Sequence, residues 1–178
     1  MPVYAVLLRG VNLGSHNRVA MPKLRVALTD AGYDDVQTYV ASGNVVLRSG
    51  KREAALVKHV HAVIEDAFGL DIPIVARTSA ELKKVSKANP FVKRAKEPGK
   101  QLHVGFLSAK PATAKVKGVD PHRDDPDELK IIGREVYAWC PNGFGRSKVL
   151  NGVEKALGVD VTVRNWRTVT ELVRLTSG

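Results

Sequence analysis

The alternation of apolar and polar residues along the first half of the chain predicts six elements of secondary structure. These are a strand at Val3 to Leu8, a helix around Leu24 to Leu28, strands at Val36 to Val40 and Val45 to Leu47, a helix from Leu56 to Phe68, and a strand at Ile72 to Ala76. Gly32 and Gly69 follow the two helices, as helix-ending glycines do. The order β-α-β-β-α-β is the split arrangement of a ferredoxin-like sheet.

The second half of the chain repeats this order of elements. Its strands and helices are predicted at Leu102 to Leu107, from Pro111, at Leu129 to Ile132, Val136 to Trp139, Val149 to Leu157, and Val161 to Val163. The capping boxes Thr78 to Glu81 and Thr168 to Glu171 predict the starts of a connecting helix and a C-terminal helix. The pattern therefore predicts an α+β fold of two tandem ferredoxin-like (βαββαβ) subdomains, residues 1–77 and 78–178, with an added C-terminal helix.

Composition narrows the class of protein. The single cysteine, Cys140, excludes an internal disulfide, and no group of histidines and cysteines has zinc-ligand spacing, so we expect neither a metal nor a cofactor. No apolar run approaches the roughly 20 residues of a membrane span, and the run Val3 to Leu8 lacks the basic region that precedes a signal-peptide core. We therefore expect a cytoplasmic protein with no membrane partner.

The formal net charge of +10 is concentrated in the middle of the chain. Residues 78–118 hold ten Lys and Arg against two Asp and Glu, whereas the acidic and basic residues of 119–178 balance. Such a basic block, which we call the basic block 78–118, is typical of an electrostatic footprint for nucleic acid. It is equally typical of a solvated lysine face, and the scarcity of interleaved aromatic residues favours that interpretation.

The stretch Pro141 to Thr168 holds the densest set of polar residues that could bind a ligand. Gly143 and Gly145 precede a predicted helix start that carries Ser147 and Lys148. A helix start directs unpaired backbone N–H groups outward and favours anions. The spacing of this stretch matches neither a Walker A loop nor a dinucleotide-binding fingerprint.

Four sequence words together resemble an uncharacterised bacterial family, domain of unknown function 1697. The words are Leu7 to Asn12 (LLRGVN), Tyr39 to Val45 (YVASGNV), Gly145 to Lys148 (GRSK), and Thr162 to Thr168 (TVRNWRT). The resemblance implies two ferredoxin-like subdomains, in agreement with the pattern above, and it implies no activity. The loop at Gly14 to His16 departs from the glycine pair that usually follows the first word.

The candidate ligand-binding residues come from these words, and each has a structural alternative. They are Arg9, Asn12, Asn44, Ser147, Lys148, Arg164 and Asn165. Arg9 either lines a cleft or forms a structural ion pair, Asn12 either holds its loop or faces a ligand, and the Arg164-Asn165 pair either binds a ligand or pins the last strand to the helix that follows. Trp166 is more typical of packing than of stacking on a ligand.

The hypothesis that follows is a binding protein for a small anionic ligand, phosphate-bearing and nucleotide-like, held in a cleft between the subdomains. Arginine and lysine side chains would supply charge-assisted hydrogen bonds, and the asparagines would orient the ligand. No histidine or carboxylate lies within the four words, so a general base is missing and catalysis stays open. The alternative is non-specific nucleic-acid binding through the basic block 78–118.

Overall fold

The computed structural model describes residues 1–178 and contains eight strands and seven α-helices. The strands are β1 (Val3–Leu8), β2 (Asp34–Tyr39), β3 (Asn44–Arg48), β4 (Ile74–Thr78), β5 (Leu102–Leu107), β6 (Glu128–Ile132), β7 (Glu135–Trp139) and β8 (Val161–Asn165). The helices are α1 (Met21–Asp30), α2 (Glu53–Phe68), α3 (Ser79–Ala88), α4 (Pro98–Gln101), α5 (Thr113–Lys117), α6 (Val153–Leu157) and α7 (Trp166–Thr176). Short 3-10 helices lie at Val92–Arg94 and Phe144–Arg146.

The strands form two four-stranded sheets in which all neighbouring strands run antiparallel. The strand orders are β2-β3-β1-β4 and β6-β7-β5-β8, so the same topology occurs twice. The fold is therefore mixed α+β. None of the helices combines the length and the apolar character that crossing a membrane requires.

The chain divides into two compact units. The first comprises Met1–Lys83 together with Leu172–Gly178, and the second comprises Lys84–Glu171. The sequence had placed the boundary after residue 77 and all of the C-terminal helix in the second subdomain. We refer to these ranges below as the first unit and the second unit.

The core of the first unit lies between one face of its sheet and the helices α1 and α2. Alternate residues of β1 face this core, because successive side chains of a strand point to opposite faces. The buried stripe of α2 is Leu56, Val60 and Ile64, which has the helical spacing that the sequence predicts. Gly69, in the left-handed conformation, ends this helix.

The second unit packs α5 and α6 against one face of its sheet. Val153 and Leu157 of α6 are buried in a cluster with Leu107, Val136 and Ala138. On the opposite face, the hydroxyl of Tyr137 donates a hydrogen bond of 2.9 Å to the carbonyl of Val85 in α3. Helices therefore cover both faces of this sheet.

Two helix starts differ from their prediction, and the predicted strand at Ile72 begins two residues later. The helix expected from Val149 begins only at Val153, because Gly152 lies in the left-handed conformation with φ +73° and interrupts any earlier turn. The C-terminal helix begins at Trp166, so Thr168 lies inside it and is not its cap. By contrast, the capping box at Thr78 to Glu81 is confirmed, with reciprocal hydrogen bonds of 2.8 and 3.2 Å.

Candidate functional site

The first two sequence words lie side by side in the first unit and are fastened by Asn12. Its Nδ2 donates to the carbonyls of Val19 (2.9 Å) and Ala41 (2.8 Å), while its Oδ1 accepts from the Val19 amide (2.9 Å). Asn12 lies at φ +55°, where asparagine is better tolerated than most residues. The side chain thus holds the loop after β1 against the turn between β2 and β3, and the loop-holding alternative is what the geometry supports.

Asn44 has an equivalent role in that turn. Its side chain is fully buried, and Nδ2 donates to the Tyr39 carbonyl and to the Ser42 hydroxyl, both at 3.0 Å. Gly43 lies at φ +90°, and a Cβ there would be 2.6 Å from Cγ2 of Val11 and 2.9 Å from Cβ of Leu8. This turn therefore requires glycine, and the Asn44 amide serves the turn.

The third word does not form an open anion site. Lys148 lies in a turn region outside any helix, and its backbone amide donates to Oδ2 of Asp124 at 2.6 Å. The Ser147 hydroxyl accepts from the Val149 amide at 3.1 Å. The expected preference of this segment for an anion is satisfied by a carboxylate of the protein, 24 residues away in the chain.

The cavity beside this segment is acidic. Its volume is about 420 Å³, and its lining includes Asp124, Asp125, Asp127 and Arg146. Three carboxylates against one guanidinium repel an external phosphate. The predicted helix start at Ser147 and Lys148 is wrong, since the helix begins at Val153, and the Lys148 amide already donates to Asp124. An anion role for these two side chains stays a prediction.

The fourth word joins β8 to α7. Oδ1 of Asn165 accepts from the Thr168 amide at 2.8 Å, the bond of a helix N-cap. Arg164 is 7% exposed, its guanidinium donates to the Val163 carbonyl at 2.9 Å, and burial lowers its pKa to about 10. Trp166 is buried at the first helical position, as packing requires.

The same arrangement occurs at the corresponding place in the first unit. Arg77 is the penultimate residue of β4, as Arg164 is of β8, and its guanidinium also donates to the carbonyl of the preceding residue at 2.9 Å. Thr78 then caps α3 as Asn165 caps α7. The internal counterpart of Arg164 is therefore Arg77. The sequence had paired Arg164 with Arg9, which instead follows the first strand of its unit, is half-buried, and donates its amide to the Pro73 carbonyl at 3.0 Å.

A polar cavity that the sequence words do not include lies in the first unit. It has a volume of about 380 Å³, and we call it the Tyr33 cavity. Its lining residues are Met1, Ala31, Gly32, Tyr33, Asp34, Arg48, Ser49, Gly50, Lys51 and His59. The Tyr33 hydroxyl lies 2.6 Å from Nδ1 of His59, and burial raises the pKa of that hydroxyl.

Charged groups surround this cavity. Arg48 donates from Nε to Asp35 at 2.6 Å, which leaves its two terminal nitrogens for other partners. Lys51 and Asp34 are exposed, and neither forms an ion pair. The Ser49 hydroxyl accepts from the Lys51 amide at 3.1 Å and keeps a proton to donate. Tyr33 and His59 are 26 residues apart, so no local motif in the sequence signals their contact.

A family model described as "Protein of unknown function (DUF1697)" matches residues 1–137. The chain belongs to this family. Among solved structures, a conserved bacterial protein of Streptococcus pneumoniae, SP0830, resembles this DUF1697 chain with a TM-score of 0.75 and 20% identity, over 98% of each chain. At that identity the likeness shows the fold alone. No curated protein sequence matches the chain.

The first two DUF1697 words and the Tyr33 cavity lie at opposite ends of the first sheet. β1 runs from Val3, near the cavity, to Leu8, which lies in the first word, and β3 runs from Asn44 in the second word to Arg48 at the cavity. The residues that carry the family resemblance in this unit therefore build its framework, and the polar cavity is a separate feature.

Proposed function

We propose that this protein binds a small anionic, phosphate-bearing molecule, nucleotide-like in its chemistry, in the Tyr33 cavity. The observation that carries the proposal is the hydrogen-bonded pair of Tyr33 and His59 in the wall of a cavity that Arg48 and Lys51 also line. A cavity of about 380 Å³ is within the range of small-molecule sites. We interpret the β-α-β-β-α-β order of each unit as a ferredoxin-like domain, and the first of these two domains holds the cavity.

Each lining group has a role in this proposal. Lys51 and the free nitrogens of Arg48 would bind the anionic group, because charge-assisted hydrogen bonds to phosphate are the strong ones. Asp34 would accept hydrogen bonds from a hydroxyl or amino group, so a ligand that carries both phosphate and such donors fits better than inorganic phosphate. The Tyr33–His59 pair offers one donor and one acceptor whichever nitrogen of the imidazole carries the proton.

The predicted residues of the second unit have other partners. Lys148 contributes its amide to Asp124, and Asn165 caps a helix. We therefore propose the Tyr33 cavity of the first unit in place of the cleft between the subdomains that the sequence suggested, whereas the class of ligand is the one that the sequence suggested.

Nucleic-acid binding through the basic block 78–118 stays a prediction, and two observations weigh against it. Lys84 and Lys87 lie on α3, whereas Lys115 and Lys117 lie on α5, and these helices cover opposite faces of the second sheet. The aromatic side chains of its strands offer no stacking platform, since Tyr137 and Phe106 are buried and the Arg94 guanidinium lies over the Trp139 ring, 3.9 Å from its centroid.

Isothermal titration with nucleoside monophosphates, sugar phosphates and inorganic phosphate tests the proposal. We expect a saturable signal for at least one organic phosphate, weakened by at least about fivefold in both Lys51→Gln and Tyr33→Phe. Lys58→Gln, which removes an exposed charge from α2 outside the cavity, is the matched control and should bind as the parent does.

Lys148→Gln separates the two locations. It should leave the affinity unchanged if the Tyr33 cavity is the site. Loss of binding in Lys148→Gln, or no binding by any organic phosphate at millimolar concentration, contradicts the proposal.

A further inference from the structure

The free edge of the second sheet borders an apolar groove. β6 pairs with β7 alone and is therefore an edge strand. The groove has a volume of about 320 Å³ and is lined by Val116, Val119, Pro121, His122, Glu128, Leu129, Lys130 and Ile131. Successive side chains of β6 point to opposite faces of the sheet. The groove is lined by four consecutive residues of this strand, Glu128 to Ile131, so it lies along the edge of the sheet and not on one face.

The backbone of β6 shows which groups face outward. The Leu129 amide donates to the Pro121 carbonyl at 2.9 Å and so points away from β7. In an antiparallel pair the backbone groups of successive residues point alternately toward and away from the partner strand. Ile131 lies two residues after Leu129, so its amide and carbonyl also point to the free edge. The segment that contains Pro121 covers the edge at Leu129 and leaves it open at Ile131.

The side chains around this opening divide by chemistry. Leu129 and Ile131 face the apolar cluster of the second unit together with Val116. On the other face, Glu128 is neutralised by Arg94 at 2.8 Å, whereas Lys130 is exposed and forms no ion pair. The edge therefore presents apolar contacts on one face and an unpaired positive charge on the other.

We propose that this edge binds an extended acidic segment of a partner protein, which adds as a fifth strand beside β6. Strand addition to an exposed edge supplies main-chain hydrogen bonds, and alternate side chains supply specificity. The segment that fits alternates apolar residues, which face Ile131, with acidic residues, which face Lys130. A second copy of this chain fits poorly, because antiparallel pairing of two β6 strands would bring their Lys130 side chains together.

Two capped pentapeptides test this proposal, one alternating glutamate with valine and one alternating lysine with valine. We expect the acidic peptide, titrated into the isotope-labelled protein, to shift the NMR amide signal of Ile131 and to slow its hydrogen exchange. Lys130→Glu should weaken the affinity for the acidic peptide by roughly tenfold and strengthen the affinity for the lysine peptide. Lys87→Glu, the same charge change on α3, is the control and should leave the affinity unchanged.

Ile131→Pro removes the outward amide, and proline is tolerated on edge strands, so this variant should lose the peptide while the other signals of the second unit keep their positions. Three outcomes overturn the proposal: no binding of the acidic peptide at millimolar concentration, equal binding by the parent and Lys130→Glu, or concentration-dependent dimerisation that Lys130→Glu strengthens.

Discussion

His103 makes the stability of the second unit depend on pH in a direction that the structure determines. The imidazole lies in β5 and stacks on Phe144 with ring centroids 3.9 Å apart, and its Nδ1 is buried without a hydrogen-bond partner. Burial lowers the pKa of His103 from 6.5 to about 4. The folded protein therefore favours the neutral ring, and the unfolded chain takes up the proton first.

The sign and size of the effect follow from this difference in pKa. The contribution of His103 to stability is fully present above pH 6.5 and is lost as the pH falls toward about 4. At about pH 5 the unfolded ring is almost entirely protonated and the folded ring almost entirely neutral, which costs about 2 kcal/mol of unfolding free energy relative to neutral pH.

Urea unfolding followed by tryptophan fluorescence measures this loss of stability in the second unit, which contains His103. The chain has two tryptophans, and both Trp139 and Trp166 belong to the second unit. His103→Phe keeps an aromatic ring on Phe144 and removes the titrating group. We expect this variant to lose about 2 kcal/mol less than the parent between neutral pH and about pH 5.

The exposed His122 of the same unit provides the control, since His122→Phe should keep the pH dependence of the parent. Equal losses of stability in the parent and in His103→Phe would refute the reasoning. His103→Phe should also be no less stable than the parent at neutral pH, because the buried Nδ1 that it removes has no hydrogen bond to lose.

Three substitutions test the framework around the sequence words. Gly43→Ala should destabilise the first unit by about 2 kcal/mol or more, measured by hydrogen exchange in β1 and β3, whereas Gly50→Ala should be close to neutral because its new Cβ meets no atom closer than 3.8 Å. Asn12→Ala removes three hydrogen bonds, and it should lower the free energy of hydrogen exchange for the amides of β1 and β3 by about 2–4 kcal/mol. Asn165→Ala should lower the unfolding free energy of the second unit by about 1 kcal/mol through loss of the helix cap, and Asn165→Asp should restore it.

Local periodicity predicted all eight strands and every α-helix except the short α4. The stripe Leu56, Val60 and Ile64 repeats at helical spacing, and the short apolar run Val3 to Leu8 is buried as a central strand of its sheet. Such signals need no knowledge of distant partners. The predicted helix start near Ser147 failed because the glycines around it are compatible with several conformations, and one of them, Gly152, lies in the left-handed region.

The candidate site was harder to predict because it depends on contacts between distant parts of the chain. Nothing near Lys148 indicates that Asp124 binds its amide, and nothing near Tyr33 indicates that His59 bonds its hydroxyl. Polar residues in a recognisable word can be bonded to the backbone and serve the fold. Asn12 is the clearest case, since all of its observed side-chain hydrogen bonds go to backbone groups.

The repeated arginine offers the sharpest test of whether the last sequence word serves the fold or a ligand. Arg77 and Arg164 occupy the same position in the two units and make the same bond to the preceding carbonyl. A ligand would require such a residue once, whereas a structural role in the repeated fold requires it twice. We therefore expect Arg164 to be part of the framework.

Arg164→Met tests this expectation in the second unit. Removing a buried guanidinium leaves its partners unpaired, so the unfolding free energy by tryptophan fluorescence should fall by about 3 kcal/mol or more. Arg167→Met, an exposed arginine of α7, should be within about 0.5 kcal/mol of the parent. If Arg164→Met is as stable as the parent and instead abolishes the binding of organic phosphate, the guanidinium belongs to the ligand site, and the duplication with Arg77 has no functional meaning.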